Sequence, residues 1–222
     1  MNWFLFHLNI SCKVKYALLK FPSHLEATKF TNKTKSVVKF LITILLVALG
    51  FSALAQLSPT KVTDYITVSL PSDFRPMNEQ EINSKYVYTR RPMALHTDYG
   101  VTVDFGINKG NNQWAQGDLN ILKDFYKANI SSLYDEVSFT KDAIETINGR
   151  DFAVFEFVAI VKPEEDAITN ESALRTYSYI QYTIVNNQTL VFTLSSPYQH
   201  MRKWKDLAPQ IMQSVSIKKN FK

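Results

Sequence analysis

The chain has 222 residues, with 25 Lys and Arg against 20 Asp and Glu, and a single cysteine. Its formal charge of +5 would ordinarily raise nucleic acid or an anionic membrane as a partner, but the excess is confined to the front. Residues 1–55 hold seven Lys and one acid, Glu26, so residues 56–222 keep 18 basic and 19 acidic side chains. A general nucleic-acid role loses its support there. Because Cys12 lies in the front segment, disulfides, thiolate metal sites and a cysteine nucleophile are excluded from residues 56–222.

Lys33, Lys35 and Lys39 precede an uncharged run from Phe40 to Ala55, which ends in the small residues Ala53 and Ala55 ahead of Gln56. Basic n-region, apolar h-region and A-x-A site are the parts of a secretory signal. The run is short of the ~20 residues that span hydrocarbon. Cleavage after Ala55 is therefore expected, with no membrane span left behind, and residues 56–222 are expected to form one domain. No cysteine follows the run, so lipid anchoring through a lipobox is excluded. Residues 1–32 carry no recognisable pattern, and we expect the translation start to lie downstream of Met1.

Ile66, Val68 and Leu70 alternate with polar residues as in a half-buried strand that Pro71 ends. A short helix capped by Asn78 and an extended piece through Tyr86 and Tyr88 follow. Val101, Val103, Phe105 and Ile107 predict a second alternating strand, closed by the polar run Asn108–Asn112. Asp118 stands as N-cap before Leu119, Leu122, Tyr126, Ile130 and Leu133, whose spacing puts all five on one helical face.

Asn148-Gly149 predicts a hairpin between Ile144–Ile147 and Phe152–Val161, since that pair accepts positive φ at both positions. The second arm is apolar on both faces apart from Glu156, as in a strand covered on both sides. Pro163–Ser172 reads as a solvated connection. Tyr177–Val185 and Thr189–Ser195 form a second hairpin. Ile180, Tyr182 and Ile184 must share a face with Leu190, Phe192 and Leu194, so its loop needs an odd number of residues or a bulge, and Asn186-Asn187-Gln188 fits a three-residue loop. Trp204, Leu207, Ala208, Ile211 and Val215 mark a closing helix that Pro209 is expected to break, or to start near Leu207.

Three stretches carry a family resemblance: Ile66-Thr-Val-Ser-Leu-Pro-Ser-Asp-Phe74, Tyr179-Ile-Gln-Tyr-Thr-Ile-Val185 and Val191-Phe-Thr-Leu-Ser-Ser-Pro197. In this order they resemble the superfamily of the photosystem II extrinsic protein PsbP and the periplasmic protein DcrB. The resemblance covers most of residues 64–217. It implies an α+β fold, a three-layer α/β/α sandwich on an antiparallel sheet of hairpins. It also implies an accessory module that docks on a larger partner without enzyme activity. No binding motif of the family matches residue by residue.

His96 and Asp98, with Asp104 close in sequence, suggest a metal pair but fall short of the usual three or four supported ligands. We expect solvated polar groups there, and no metal or other cofactor. Glu156, alone in an apolar strand, is expected at a sheet edge or beside a base. Ser195-Ser-Pro197 lacks the glycines of a nucleophile elbow, and we expect no catalytic residues. Arg90-Arg91 and Arg202-Lys203-Trp204-Lys205 set basic residues beside aromatics, a composition suited to an acidic docking surface. The residues thus point to an exported, periplasmic or secreted adaptor. It would bind an unidentified protein of the cell envelope through Arg90, Arg91, Arg202, Lys203 and Lys205. The alternative is a carrier holding a small apolar ligand between sheet and helix.

Overall fold

The computed structural model describes residues 57–86, 91–163 and 172–221, without the side chains of residues 111 and 112. The signal segment with Ala53 and Ala55, Arg90, and most of the connection after Pro163 lie outside the described residues. Among the described residues ten strands form two antiparallel sheets. The small sheet has the order β1-β2-β10, from Leu57–Lys61, Ile66–Pro71 and Ser216–Ile217. The large sheet runs β3-β4-β5-β9-β8-β7-β6. Its strands are β3 (Arg75–Pro76), β4 (Ala94–Thr97), β5 (Asp104–Gln113), β6 (Glu136–Ile147), β7 (Arg150–Val161), β8 (Leu174–Val185) and β9 (Gln188–Pro197). Among the described residues three α-helices accompany them, α1 (Glu79–Lys85), α2 (Leu119–Leu133) and α3 (Met201–Gln213).

The large sheet is buried on both faces, which gives the three layers expected. Between it and α2, Leu122 and Ile130 meet Phe155, Phe157, Tyr182 and Ile184. On the other face Trp204, Leu207 and Ile211 of α3, with Ile66, Val68 and Leu70 of the small sheet, cover Phe152, Phe192 and Leu194. Strand β7 supplies Phe152 and Val154 to one core and Ala153, Phe155 and Phe157 to the other, so its unbroken apolar run serves both layers. The Asn148-Gly149 turn has φ of 49° and 76°, as the pair requires.

Five expectations about the elements are corrected. The second hairpin has a two-residue turn, Asn186-Asn187, with φ of 51° and 60°, and Val185 pairs with Gln188. Ile180, Tyr182 and Ile184 therefore face α2, whereas Leu190, Phe192 and Leu194 face α3. Facing arguments fix a register when one side of a sheet is wet; here both are dry, and either register buries apolar side chains. Second, α3 is continuous from Met201 through Pro209, preceded by a 3₁₀ turn at Tyr198–His200. Burial of Trp204, Leu207, Ala208, Ile211 and Met212 outweighs the ~3 kcal/mol that an interior proline forfeits.

Third, β5 starts at Asp104, and Val101 sits outside it with φ 53°. The strand then continues through the polar run to Gln113, irregularly between Lys109 and Gln113. Gly110 permits this, because a Cβ there would stand 2.9 Å from the Cβ of Thr189. Fourth, Leu133 is 71% exposed, and the ring of Tyr134, one residue on, takes the place against Phe157 at 6.2 Å. Fifth, Asp118 precedes α2 without a side-chain cap; its Oδ2 instead accepts the Ala115 N–H at 3.0 Å, closing the turn before the helix. Strand β1 had no sequence signal, since Leu57-Ser-Pro-Thr-Lys61 neither alternates clearly nor avoids proline, which an edge strand tolerates.

Candidate functional site

Asp104, at the start of β5, lines an open cleft of about 440 Å³ at one end of β5, β8 and β9. Helix α1 is held in place at its start. Asn78 accepts the Glu81 N–H at 2.9 Å, and Glu81 accepts the Asn78 N–H at 2.9 Å, a capping box. Arg75 donates to both Glu81 oxygens at 2.8 and 2.5 Å. The guanidinium first, and the Asn78 amide second, hold the Glu81 carboxyl down at about 2.

The other end of α1 then delivers Lys85 and Tyr86 to the cleft. Lys85 Nζ stands 2.7 Å from Asp104 Oδ2, and the Tyr86 hydroxyl donates to the same oxygen. Asp104 is 6% exposed, and its Oδ1 has no hydrogen-bond partner among the described residues. The opposite wall is the loop after β4. There Asp98 accepts the Thr102 N–H and hydroxyl at 2.7 and 2.6 Å and the Val103 N–H at 3.4 Å. Burial raises the Asp98 carboxyl, but these bonds outweigh it and leave the group below its ordinary value. Val101 and Thr102 are thereby turned to line the cleft, opposite Leu174, Thr176 and Pro197.

His96, Asp98 and Asp104 are not gathered into one set of ligands. Asp98 is spent on its loop and Asp104 on Lys85 and Tyr86, and no group of three metal-ligating side chains comes together among the described residues. His96 is buried on β4 with Nδ1 unpartnered, and burial lowers its basicity. Because the unfolded chain binds that proton more readily, the contribution is fully present above the ordinary histidine value and is lost as pH falls through the folded one. The melting temperature should therefore drop more steeply between about pH 7 and pH 5 in the wild type than in His96→Leu. Parallel slopes would contradict this.

Glu156 is buried rather than at an edge, and the Tyr177 hydroxyl donates to its Oε1 at 2.9 Å. Burial first, and the Glu156 charge second, push the Tyr177 hydroxyl far above its ordinary range. Neighbouring Tyr179 is pushed by burial up to about 12. Both rings thus stay neutral, and Tyr177 remains a donor to a buried carboxylate.

Of the basic residues, Arg202, Lys203 and Lys205 are brought together, all exposed along the first half of α3. Trp204 between them is core, 1% exposed, with Lys203 Nζ 4.7 Å from its ring centre. Arg91 is elsewhere engaged, paired with Glu79 of α1. The sequence reading missed Arg175 and its neighbour Leu174. The Arg175 guanidinium lies 4.5 Å over the Tyr198 ring, and Leu174 and Tyr198 are 64% and 39% exposed at the cleft's edge. The signal was an arginine following a leucine after a polar connection, and only the pairing of Thr176 with Pro197 places it beside Tyr198.

A second cleft of about 450 Å³ lies under the start of α2, lined mainly by polar groups including Asn120, Arg150 and Asp151. No helix among the described residues is long and apolar enough to cross a membrane.

No family model and no curated protein sequence matches the chain. Solved structures similar to it include the following three. Cyanobacterial PsbP from Synechocystis sp. PCC 6803 shares 13% identity over 76% of this chain and 96% of its own, with a TM-score of 0.49. The Saccharomyces cerevisiae Ran-binding protein Mog1p shares 9% over 74% and 96%, at 0.47. LpqN of Mycobacterium tuberculosis, involved in cell envelope biogenesis, shares 12% over 73% and 91%, at 0.40.

Proposed function

We propose that the chain is an exported, non-enzymatic module that binds a protein partner in the cell envelope. The docking surface is the Asp104 cleft together with the basic face of α3. One observation carries the reading: an open apolar cleft adjoins a set of exposed cations that are not neutralised. Arg175, Arg202, Lys203 and Lys205 take part in no ion pair among the described residues, whereas cations elsewhere, such as Lys123 and Lys127 on Asp142, do. Unpaired cations around an apolar depression supply the two things a docking site uses, an anchor pocket and a steering field. Export rests on the signal pattern of residues 33–55, and the near-neutral balance of residues 56–222 favours a protein over a polyanion.

The carrier reading receives less support. The spaces between sheet and helices are occupied by two aromatic cores, and the apolar cleft is open to solvent at the strand ends.

Replacing Arg202, Lys203 and Lys205 together with Glu should weaken partner capture in the native envelope while shifting stability by no more than about 0.5 kcal/mol per site. The matched control is Lys218→Glu with Lys219→Glu, both exposed near the C-terminus. Lysines of α2 and β6 are unsuitable, since Lys123, Lys127 and Lys141 all hold carboxylates. Equal capture by the triple variant, the control and the wild type would overturn the assignment.

A further inference from the structure

The chemistry of the partner follows from what surrounds the cleft. Its walls are apolar where they are open, with Val101, Leu174 and Pro197 in the lining. A volume of about 440 Å³ is at the small end of ligand pockets, which run from roughly 300 to 1,000 Å³. That suits a single large side chain better than a folded surface. The floor carries no net charge to repel an anion, because Lys85 stands against Asp104.

The flanks are positive. On one side the Arg175 guanidinium stands over the Tyr198 ring, which keeps its charge at the cleft's edge. On the other side α3 leaves the 3₁₀ turn whose Gln199 and the following His200 line the cleft, and presents Arg202 two residues later. Arg202 and Lys205, three apart, share the solvent face of α3. Lys203, at its border, is near enough to Asp98 to lower that carboxyl. Asp98 keeps its negative charge, held by the bonds from Thr102 and Val103, and Lys203 is the cation set against it, which leaves Arg175, Arg202 and Lys205 for a partner.

We infer that the cleft takes an acidic peptide segment bearing one bulky apolar side chain. That side chain would sit between Val101, Leu174 and Pro197, and the flanking carboxylates would meet Arg175 on one side and Arg202 and Lys205 on the other. The inference rests on the docking reading above and specifies its partner.

Fluorescence anisotropy with the full chain tests it. The probe is a fluorescein-labelled peptide with two Glu on each side of one Trp; its controls carry Gln in place of Glu, or Ala in place of Trp. The inference expects each control to bind about ten-fold more weakly. It also expects Leu174→Asp, and Arg175→Glu with Arg202→Glu, to weaken the parent peptide by a similar factor. Lys218→Glu with Lys219→Glu should leave it unchanged. Leu174 and both arginines are exposed, and unchanged circular dichroism confirms that these variants fold. Equal binding of the Gln peptide would overturn the acidic partner while leaving the cleft as a docking site. Binding that ignores Leu174→Asp would overturn the cleft itself. Preference for phosphatidylglycerol vesicles over the peptide would assign the cations to a membrane surface instead, and binding of neither would also overturn the inference.

Discussion

Trp204→Ala is expected to lower the unfolding free energy by about 3–5 kcal/mol, the range for truncating a large buried aromatic side chain. The size follows from position. Trp204 is 1% exposed and belongs to the core that joins α3 to the small sheet and to β9. Its ring meets Phe74 edge-on at 5.6 Å, an arrangement with its own modest attraction. It is also the main side chain anchoring the start of α3, the part that displays Arg202, Lys203 and Lys205. Urea unfolding checks the value. A loss below about 1 kcal/mol would mean that α3 is not docked through this residue. The contrast with its neighbours is the sharper reading: Lys203→Ala and Lys205→Ala should each stay within about 0.5 kcal/mol.

Leu122→Ala and Ile130→Ala should each cost about 2–5 kcal/mol. Both are essentially buried against Phe155, Phe157, Tyr182 and Ile184. Leu133→Ala, on the same helix and chemically the same change as Leu122→Ala, should cost no more than about 0.5 kcal/mol, because Leu133 is 71% exposed. The three thermal melts together decide which part of α2 is docked. A Leu133 variant as destabilised as the Leu122 variant would mean that the helix end packs on the sheet after all.

Where one side of an element is wet, the sequence was readable. The Ile66–Leu70 alternation, the Asn78 cap and the Asn148-Gly149 turn each state their own geometry in adjacent residues, and all three stand as expected. Reading failed where two dry faces compete. In β8 and β9 either pairing buries apolar side chains, and the preference of Asn186 and Asn187 for positive φ decided what facing arguments could not. At Pro209 a local rule lost to tertiary burial of five neighbouring side chains. The docking site was half legible. A basic run around a tryptophan shows in the chain, but the cleft beside it is assembled from α1, the loop after β4, β8 and the end of β9. No local pattern links Lys85, Asp104 and Leu174, and only the sheet order brings them together.

The central claim is that the strand-end cleft, not the α2 layer, faces the partner. Photo-cross-linking from a benzophenone on a cysteine introduced at Leu174, compared with one at exposed Ser131 of α2, tests it most directly. Cys12 is replaced by Ala in both, so the label has one site. We predict one discrete adduct from position 174 in the native envelope, lost when Arg175 and Arg202 are replaced with Glu, and none from position 131. Equal adducts from both positions, or an adduct from position 131 alone, would contradict the account.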